Sequence, residues 1–130
     1  MEITADTSAL IAVIGNEPSR AKILELTAGC QVVAPGFVHW EIGNALSAMV
    51  KRKRITLAQA QACIEAYQQM PIKRVNVDLK QSLALVSRLQ LYAYDAYLLV
   101  CAAQTGSALL TLDEALRVAA LSIGIEVLEV

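Results

Sequence analysis

The sequence is short of aromatic residues and of charge, and each shortage narrows the classes of protein it can encode. Aromatic residues make up 5% of the 130 residues, which argues against a broad platform for stacking the bases of single strands. Charged residues make up 18%, below the roughly 25% of ordinary soluble domains, so we expect an apolar patch for a partner or a homodimer. A net charge of −1 disfavours nucleic-acid binding through bulk charge.

Cysteines and long apolar runs are also scarce. Cys30, Cys63 and Cys101 are widely spaced and match neither a disulfide framework nor a zinc pattern, which suits a reducing compartment. No apolar run reaches the roughly 18 residues of a membrane span, and no signal peptide is visible. We therefore predict a cytoplasmic protein that does not enter a membrane.

Apolar residues, in contrast, are abundant and fall into alternating strand and helix patterns. They make up 56% of the chain, enough for one domain over residues 1–130 with a sizeable core. Buried runs such as QVVAP (31–35) and ALLTL (108–112) alternate with helical stretches such as GFVHWEIGNALSAMVKRKR (36–54). We predict a three-layer α/β/α sandwich with a central, mainly parallel sheet of about five strands, the last being IEVLEV (125–130).

Three aspartates lie where predicted strands end or helices begin. Asp6 follows the first strand, Asp113 follows the fourth, and Asp95 opens an apolar helix. Because sites in such folds form at the carboxyl ends of the strands, these carboxylates can project into one crevice. Each aspartate alone is equally well explained as a helix N-cap, and that alternative stays open at each position.

Glu41 lies inside a helix and is harder to explain locally. It falls about 40° from Ala45, at the edge of the apolar face, with Asn44 pointing the same way. A buried carboxylate is costly unless it is paired or bound to a metal, although a rim glutamate paired with a surface cation remains possible. Several carboxylates at short range need a cation to stay ionised, and oxygen ligands suit Mg²⁺ or Mn²⁺.

Three segments, in order, resemble a PIN domain, and within that family the short VapC-like toxins of type II toxin–antitoxin pairs. They are ITADTSALIAV, VVAPGFVHWEIGNAL and LYAYDAYLLVCAAQTGSALLTLDEAL, and the likeness covers essentially the whole chain. The resemblance implies a metal-dependent endoribonuclease whose substrate is RNA and whose partner is a cognate antitoxin. It also implies that the predicted sandwich has the fold of a PIN domain. The apolar helices over 18–28 and 56–69 are consistent with a homodimer.

The resemblance also assigns roles to residues. The catalytic acids would be Asp6, Glu41, Asp95 and Asp113. Direct ligands of Mg²⁺ or Mn²⁺ would be Asp6, Asp95 and Asp113, with supporting polar residues at Ser8, Asn44 and Thr111. One departure from the family pattern is visible, because many members carry a further acid where this chain has Ala115, next to Glu114. A second metal ion is therefore not assigned.

RNA would also need cations, and the densest run is KRKR, formed by Lys51, Arg52, Lys53 and Arg54. Its simpler explanation is a solvated helix end, since Lys and Arg favour helix C-termini. Two other functions compete with the nuclease. One is a PIN-like binding module without activity. The other is a phosphatase using Asp6 as nucleophile, although position 8, where such enzymes need a second acid, is Ser8.

Overall fold

A four-stranded parallel sheet forms the centre of the molecule in the computed structural model, which describes residues 1–130. The strands, which run side by side in the order β3-β2-β1-β4, are β1 (Glu2–Ala5), β2 (Gln31–Pro35), β3 (Ile72–Val75) and β4 (Ala108–Leu110). All three pairings are parallel. Strands β1, β2 and β4 are mostly buried and apolar, as a sheet covered on both faces requires, whereas the edge strand β3 exposes Lys73 and Arg74.

Seven helices connect and cover the strands. They are α1 (Thr7–Ile14), α2 (Arg20–Thr27), α3 (Phe37–Lys51), α4 (Leu57–Gln68), α5 (Leu79–Leu89), α6 (Ala93–Thr105) and α7 (Glu114–Ser122). The chain steps from β1 to β2 to β3 through α1–α4 and returns to β4 through α5 and α6. Because crossovers between parallel strands are right-handed, the outward and return steps place their helices on opposite faces of the sheet. The predicted three-layer sandwich is confirmed.

The sheet has four strands where about five were predicted, and the difference lies at the C-terminus. The last segment forms only an isolated parallel bridge between Leu109 and Val127. The Leu109 N–H donates to the Glu126 carbonyl at 2.8 Å, and the Leu128 N–H donates to the Leu109 carbonyl at 3.0 Å. Since β4 is only three residues long, it offers too short an edge for a full ladder.

Helix α6 packs against the sheet through a buried central segment, and its connection to β4 sets its direction. Residues 98–102 are all buried, and the helix contacts β1, β2 and β4. Beneath it, the Thr4 and Ser107 hydroxyls share a hydrogen bond of 2.7 Å. Because the C-terminus of α6 leads into the start of β4, its N-terminus, with Asp95, lies at the carboxyl edge of the sheet. None of the seven helices is long and apolar enough to cross a bilayer.

Candidate active site

Asp6 lies directly after β1 and caps α1, as its position in the sequence predicts. Its Oδ1 accepts the Ala9 N–H at 3.0 Å and the Ser8 hydroxyl at 2.6 Å, and its Oδ2 accepts the Thr111 hydroxyl. The residue is 5% exposed. Burial raises the pKa of Asp6 although all three hydrogen bonds lower it, and the nearby Asp113 raises it further. Because Oδ2 accepts a single hydrogen bond, it keeps a lone pair for a further ligand.

Ser8 and Thr111 tie the ends of β1 and β4 together around Asp6. The Thr111 hydroxyl donates to Asp6 and accepts the Asp113 N–H at 3.0 Å. The Ser8 hydroxyl donates to Asp6 and accepts the Leu112 N–H at 3.0 Å. Two of the three predicted supporting residues, Ser8 and Thr111, therefore contact Asp6 and hold its carboxylate in one orientation.

Asp113 occupies at the end of β4 the place that Asp6 occupies at the end of β1. It caps α7, and its Oδ1 accepts the Leu116 N–H at 3.1 Å. The two strands are neighbours, with Ala5 in register with Leu110. The cap and the candidate ligand are therefore not exclusive explanations, since each aspartate caps a helix and faces the same edge.

Glu41 reaches the site from the second turn of α3. It is half-buried, and the Thr7 hydroxyl donates to its Oε1 at 2.7 Å. A surface cation, the alternative left open from the sequence, is not its partner. Thr7 was not among the predicted site residues, although its place directly after Asp6 at a strand end was a usable signal. The hydrogen bond orients the carboxylate of Glu41 from the helix that Asp6 caps.

Asp95 does not cap a helix, so that explanation of its position is wrong. Helix α6 begins at Ala93 with Tyr92 as its N-cap, which leaves Asp95 in the first turn. Burial raises the pKa of Asp95, and the charges of Asp113, Asp6 and Glu41, in that order, raise it further. Asp95 therefore lies near enough to the other three predicted acids to feel their charges at the carboxyl edge of the sheet.

This group of acids has the donor chemistry that a divalent cation requires. All its ligands are carboxylate oxygens, and the mutual repulsion that raises the pKa of Asp95 would be relieved by a positive ion. No three acidic, histidine or cysteine side chains stand close enough to form a ready-made cage. Mg²⁺ commonly binds through one or two carboxylates and keeps several waters, so the residues present fit such an ion.

The remaining predicted residues lie outside this group. Asn44 is exposed and takes no part in the hydrogen bonds around the acids. The Glu114 carboxylate turns away to pair with Arg117 at 3.2 Å. The KRKR run, residues 51–54, is exposed at the far end of α3, about 15 Å along the axis from Glu41.

The family model that matches the chain is described as the PIN domain, and it covers residues 3–121. The chain belongs to the PIN-domain family. The resemblance inferred from the three sequence segments is therefore confirmed at the level of the family. No match was found among curated proteins.

Solved structures share the fold of this PIN domain at low sequence identity. PAE2754 from Pyrobaculum aerophilum is 23% identical, with a TM-score of 0.72 over 92% of this chain and 86% of that one. VapC20 from Mycobacterium tuberculosis, a sarcin–ricin loop cleaving toxin, is 14% identical, with a TM-score of 0.66 over 98% and 99%. VapBC2 from Rickettsia felis, bound to a DNA fragment from its promoter, is 16% identical, with a TM-score of 0.67 over 99% and 98%.

Proposed function

We propose that this PIN-domain protein is a divalent-metal-dependent endoribonuclease and the toxin of a toxin–antitoxin pair. The observation that carries the proposal is the convergence of Asp6, Glu41, Asp95 and Asp113 on one edge of the sheet, where the hydroxyls of Thr7 and Thr111 bridge the elements that carry them. A phosphodiester is anionic and four carboxylates repel it, so the substrate can approach this pocket only with a cation between them. VapC20, which shares the fold, is a toxin that cleaves the sarcin–ricin loop, and this supports RNA as the substrate.

Each acid has a distinct place in this proposal. Asp6, Asp95 and Asp113 would hold Mg²⁺ or Mn²⁺, and Asp6 would do so through the free lone pair of its Oδ2. When bound, such an ion neutralises the phosphate charge and polarises a phosphoryl oxygen. Glu41, oriented by Thr7, would position the attacking water by hydrogen bonding and accept its proton. Ser8 and Thr111 would keep the Asp6 carboxylate from turning away.

The direct test is cleavage of a mixed structured-RNA pool by the purified chain with Mn²⁺ or Mg²⁺, and with a chelator. Asp6→Asn is the inactivating variant, because Asn keeps the cap but loses the ligand charge. Glu114→Gln is the matched control, because that acid lies beside the site but pairs with Arg117. We expect metal-dependent cuts from the wild type and the control and none from Asp6→Asn. Equal cutting by Asp6→Asn would point to a contaminant and contradict the assignment.

The same experiment separates the competing functions. No cutting of any RNA by a chain that still binds the metal would favour a binding module. A phosphatase would release phosphate from monoesters, but the Ser8 hydroxyl that would have to serve it donates to Asp6 instead. The hydrogen bonds on both oxygens of Asp6 also make it a poor nucleophile. The cytoplasmic location stays a prediction.

An antitoxin and a second copy of the chain are the partners that we propose. Apolar side chains remain exposed on α2 and α4, including Leu24 and Leu57. A cavity of about 720 Å³, lined by Leu24, Val13 and Met70, could receive an apolar peptide segment. The fold shared with VapBC2 of Rickettsia felis supports such a pairing. Co-purification with a small protein encoded next to this chain, and light scattering of the free chain, test the two partners.

A further inference from the structure

A second polar cluster lies at the start of α3, on the face of the helix opposite Glu41. The Arg74 Nη2 lies 2.9 Å from His39 Nδ1, and the Tyr67 hydroxyl lies 3.2 Å from the same nitrogen. His39 is the only histidine of the chain, and Arg74 is exposed on the edge strand β3. The group thus joins three elements, α3, α4 and β3, at an open surface.

The hydrogen-bonding roles in this cluster follow from the chemistry of its members. A guanidinium has no acceptor, so Arg74 donates and His39 Nδ1 accepts. The proton of the neutral imidazole is then on Nε2, which is free to donate elsewhere. The Tyr67 hydroxyl competes with Arg74 for the one lone pair of Nδ1, and it can turn to another acceptor. The cluster therefore contains more hydrogen-bond donors than acceptors.

The surroundings of the cluster suit an anion. A shallow cavity of about 290 Å³ is lined by His39, Tyr67, Gln68, Met70, Ile72 and Arg74, and no carboxylate is among these residues. Arg74 takes part in none of the ion pairs of the structure, whereas the adjacent Lys73 pairs with Glu2 at 3.3 Å. An unpaired guanidinium with a fork of donors is the group that proteins use to bind phosphate oxygens.

The cluster also lies at the distance from the acids that one nucleic-acid strand can span. Arg74 is in register with Ala34 of β2, and Val33, the residue before Ala34, is in register with Thr4 of β1, two residues before Asp6. Two strand spacings amount to about 10 Å, or a few nucleotides of one strand. Trp40 lies between the two groups on α3, is 72% exposed and meets the His39 ring edge-on at 4.8 Å.

We propose that Arg74 and His39 bind a backbone phosphate of the RNA a few nucleotides from the cleaved bond. The exposed indole of Trp40 packs against a base between that phosphate and the acids. This subsite rests on the proposed ribonuclease function and adds to it the path that the substrate takes, along the first turn of α3 toward β3. Arg74 contributes charge and direction, and His39 holds its guanidinium while presenting a second donor.

Binding can be measured apart from cleavage in the Asp6→Asn background, with a fluorescein-labelled RNA fragment that the wild type cuts. Fluorescence anisotropy over a range of salt concentrations gives both the affinity and its salt dependence. We expect Arg74→Gln to weaken binding about tenfold and to lower the slope of log K against log[salt] by about 0.7, the value for one phosphate contact of a single strand. Trp40→Leu should weaken binding and leave that slope unchanged, because stacking involves no charge.

Lys73→Gln is the matched control, because it removes the same charge from the neighbouring residue of β3. It should change the affinity less than about twofold, since Lys73 already pairs with Glu2. Arg74→Lys should restore the salt slope and only part of the affinity, because Lys keeps the charge but not the fork. A restored slope in Arg74→Lys would also show that the loss of binding in Arg74→Gln does not come from a folding defect.

His39 is the single histidine, so its NMR signals can distinguish RNA binding from a purely structural hydrogen bond between α3 and β3. Adding the RNA fragment to the Asp6→Asn chain labelled with ¹⁵N-histidine should shift the imidazole nitrogen resonances of His39. The subsite alone is overturned if the wild type cleaves RNA while Arg74→Gln binds as Lys73→Gln does, or if His39 shows no shift at saturation. Absence of both binding and metal-dependent cleavage would overturn the ribonuclease proposal and the subsite together.

Discussion

The two ends of α3 differ in almost every property that matters for function. At its start, Glu41 is half-buried, receives a hydrogen bond from Thr7 and acts electrostatically on Asp95. At its end, residues 51–54 carry four exposed cations, none of which forms an ion pair with an acid. The denser charge is therefore at the end whose cations form no ion pair. Mutual proximity and hydrogen bonds at the strand ends, rather than charge density, mark the candidate site.

The opposite placement follows from the direction of the helix. Helix α3 leaves the carboxyl end of β2 and runs back toward the amino edge of the sheet. Its C-terminus carries the negative end of the helix dipole, which Lys51 and its neighbours complement. The cations thus have a structural reason for their position. Their role in RNA binding stays a prediction, and the substitutions below test whether the two ends differ in function as they do in structure.

The largest effect is expected from an acid at the active edge. Asp113→Asn should lower metal-dependent RNA cleavage by about 10²–10³-fold, since Asn keeps the cap of α7 and removes a ligand charge. Single-turnover cleavage of the RNA pool measures this loss. Glu114→Gln, one residue along, should keep nearly full activity. Similar losses in both variants would mean that general negative charge, not a defined ligand, is required.

Metal ions should stabilise the acidic edge by a large and specific amount. At a Mn²⁺ concentration of one hundred times its Kd, the free energy of unfolding should rise by about 2.7 kcal/mol, because only the folded chain brings the carboxylates together. Urea unfolding with Mn²⁺ and with chelator measures the rise. A chain with Lys51→Gln and Arg52→Gln should show the same rise, and Asp95→Asn a much smaller one. Equal stabilisation of Asp95→Asn would remove that residue from the ligand set.

The raised pKa of Asp6 makes the stability of the metal-free chain depend on pH. Burial puts the folded pKa above the ordinary 3.8, so the folded state holds its proton more tightly than the unfolded state. The resulting stability is complete below 3.8 and is lost as the pH rises through the folded pKa. At neutral pH, with chelator, Asp6→Asn should therefore be more stable than the wild type by on the order of 1 kcal/mol.

Urea titrations of the metal-free chains between pH 3.5 and 7.5 (about four units, spanning the ordinary carboxyl range) measure this difference, which should shrink as the pH falls. Asp78→Asn supplies the control, because Asp78 caps α5 through the same kind of bond to Gln81 but is exposed. At pH 7 without metal, Asp78→Asn should not stabilise the chain as Asp6→Asn does, because the carboxylate of Asp78 is exposed to water. A wild type that is more stable than Asp6→Asn at pH 7 without metal would contradict the cost assigned to burying this carboxylate.

The smallest effect is expected at the basic end of α3. Lys51→Gln with Arg52→Gln should change RNA cleavage by less than about threefold, because exposed cations about 15 Å from Glu41 are largely screened at physiological salt. The same pair should cost roughly 0.3–1 kcal/mol of stability through the helix dipole. Cleavage rates of this variant and the wild type at two salt concentrations test this expectation. A loss larger than that of Arg74→Gln would place the main RNA contact at the amino edge instead.

Local signals in the sequence indicated most of the elements and singled out the four acids as candidates. The capping box of Thr56 and Gln59 opens α4, and Asp6, Asp78 and Asp113 cap the helices that they precede. Such features depend on bonds between residues three apart, which the sequence displays directly. The alternation of buried strands and helices likewise indicated the parallel sheet, and with it the edge at which the acids meet.

Long-range pairing decided the rest. Only the register of β1, β2 and β3 brings Arg74 beside His39, residues that the chain separates by 35 positions. The same sheet direction separates Glu41 from the KRKR run, and the shortness of β4 reduces the expected fifth strand to one bridge. Aromatic residues are few in the composition, yet Trp40, Tyr92 and Tyr94 are all exposed near helix starts at the acidic edge. The sequence by itself determined which groups exist and which helices they cap; tertiary structure decided which of them meet, because strand order and register join residues that no local pattern connects.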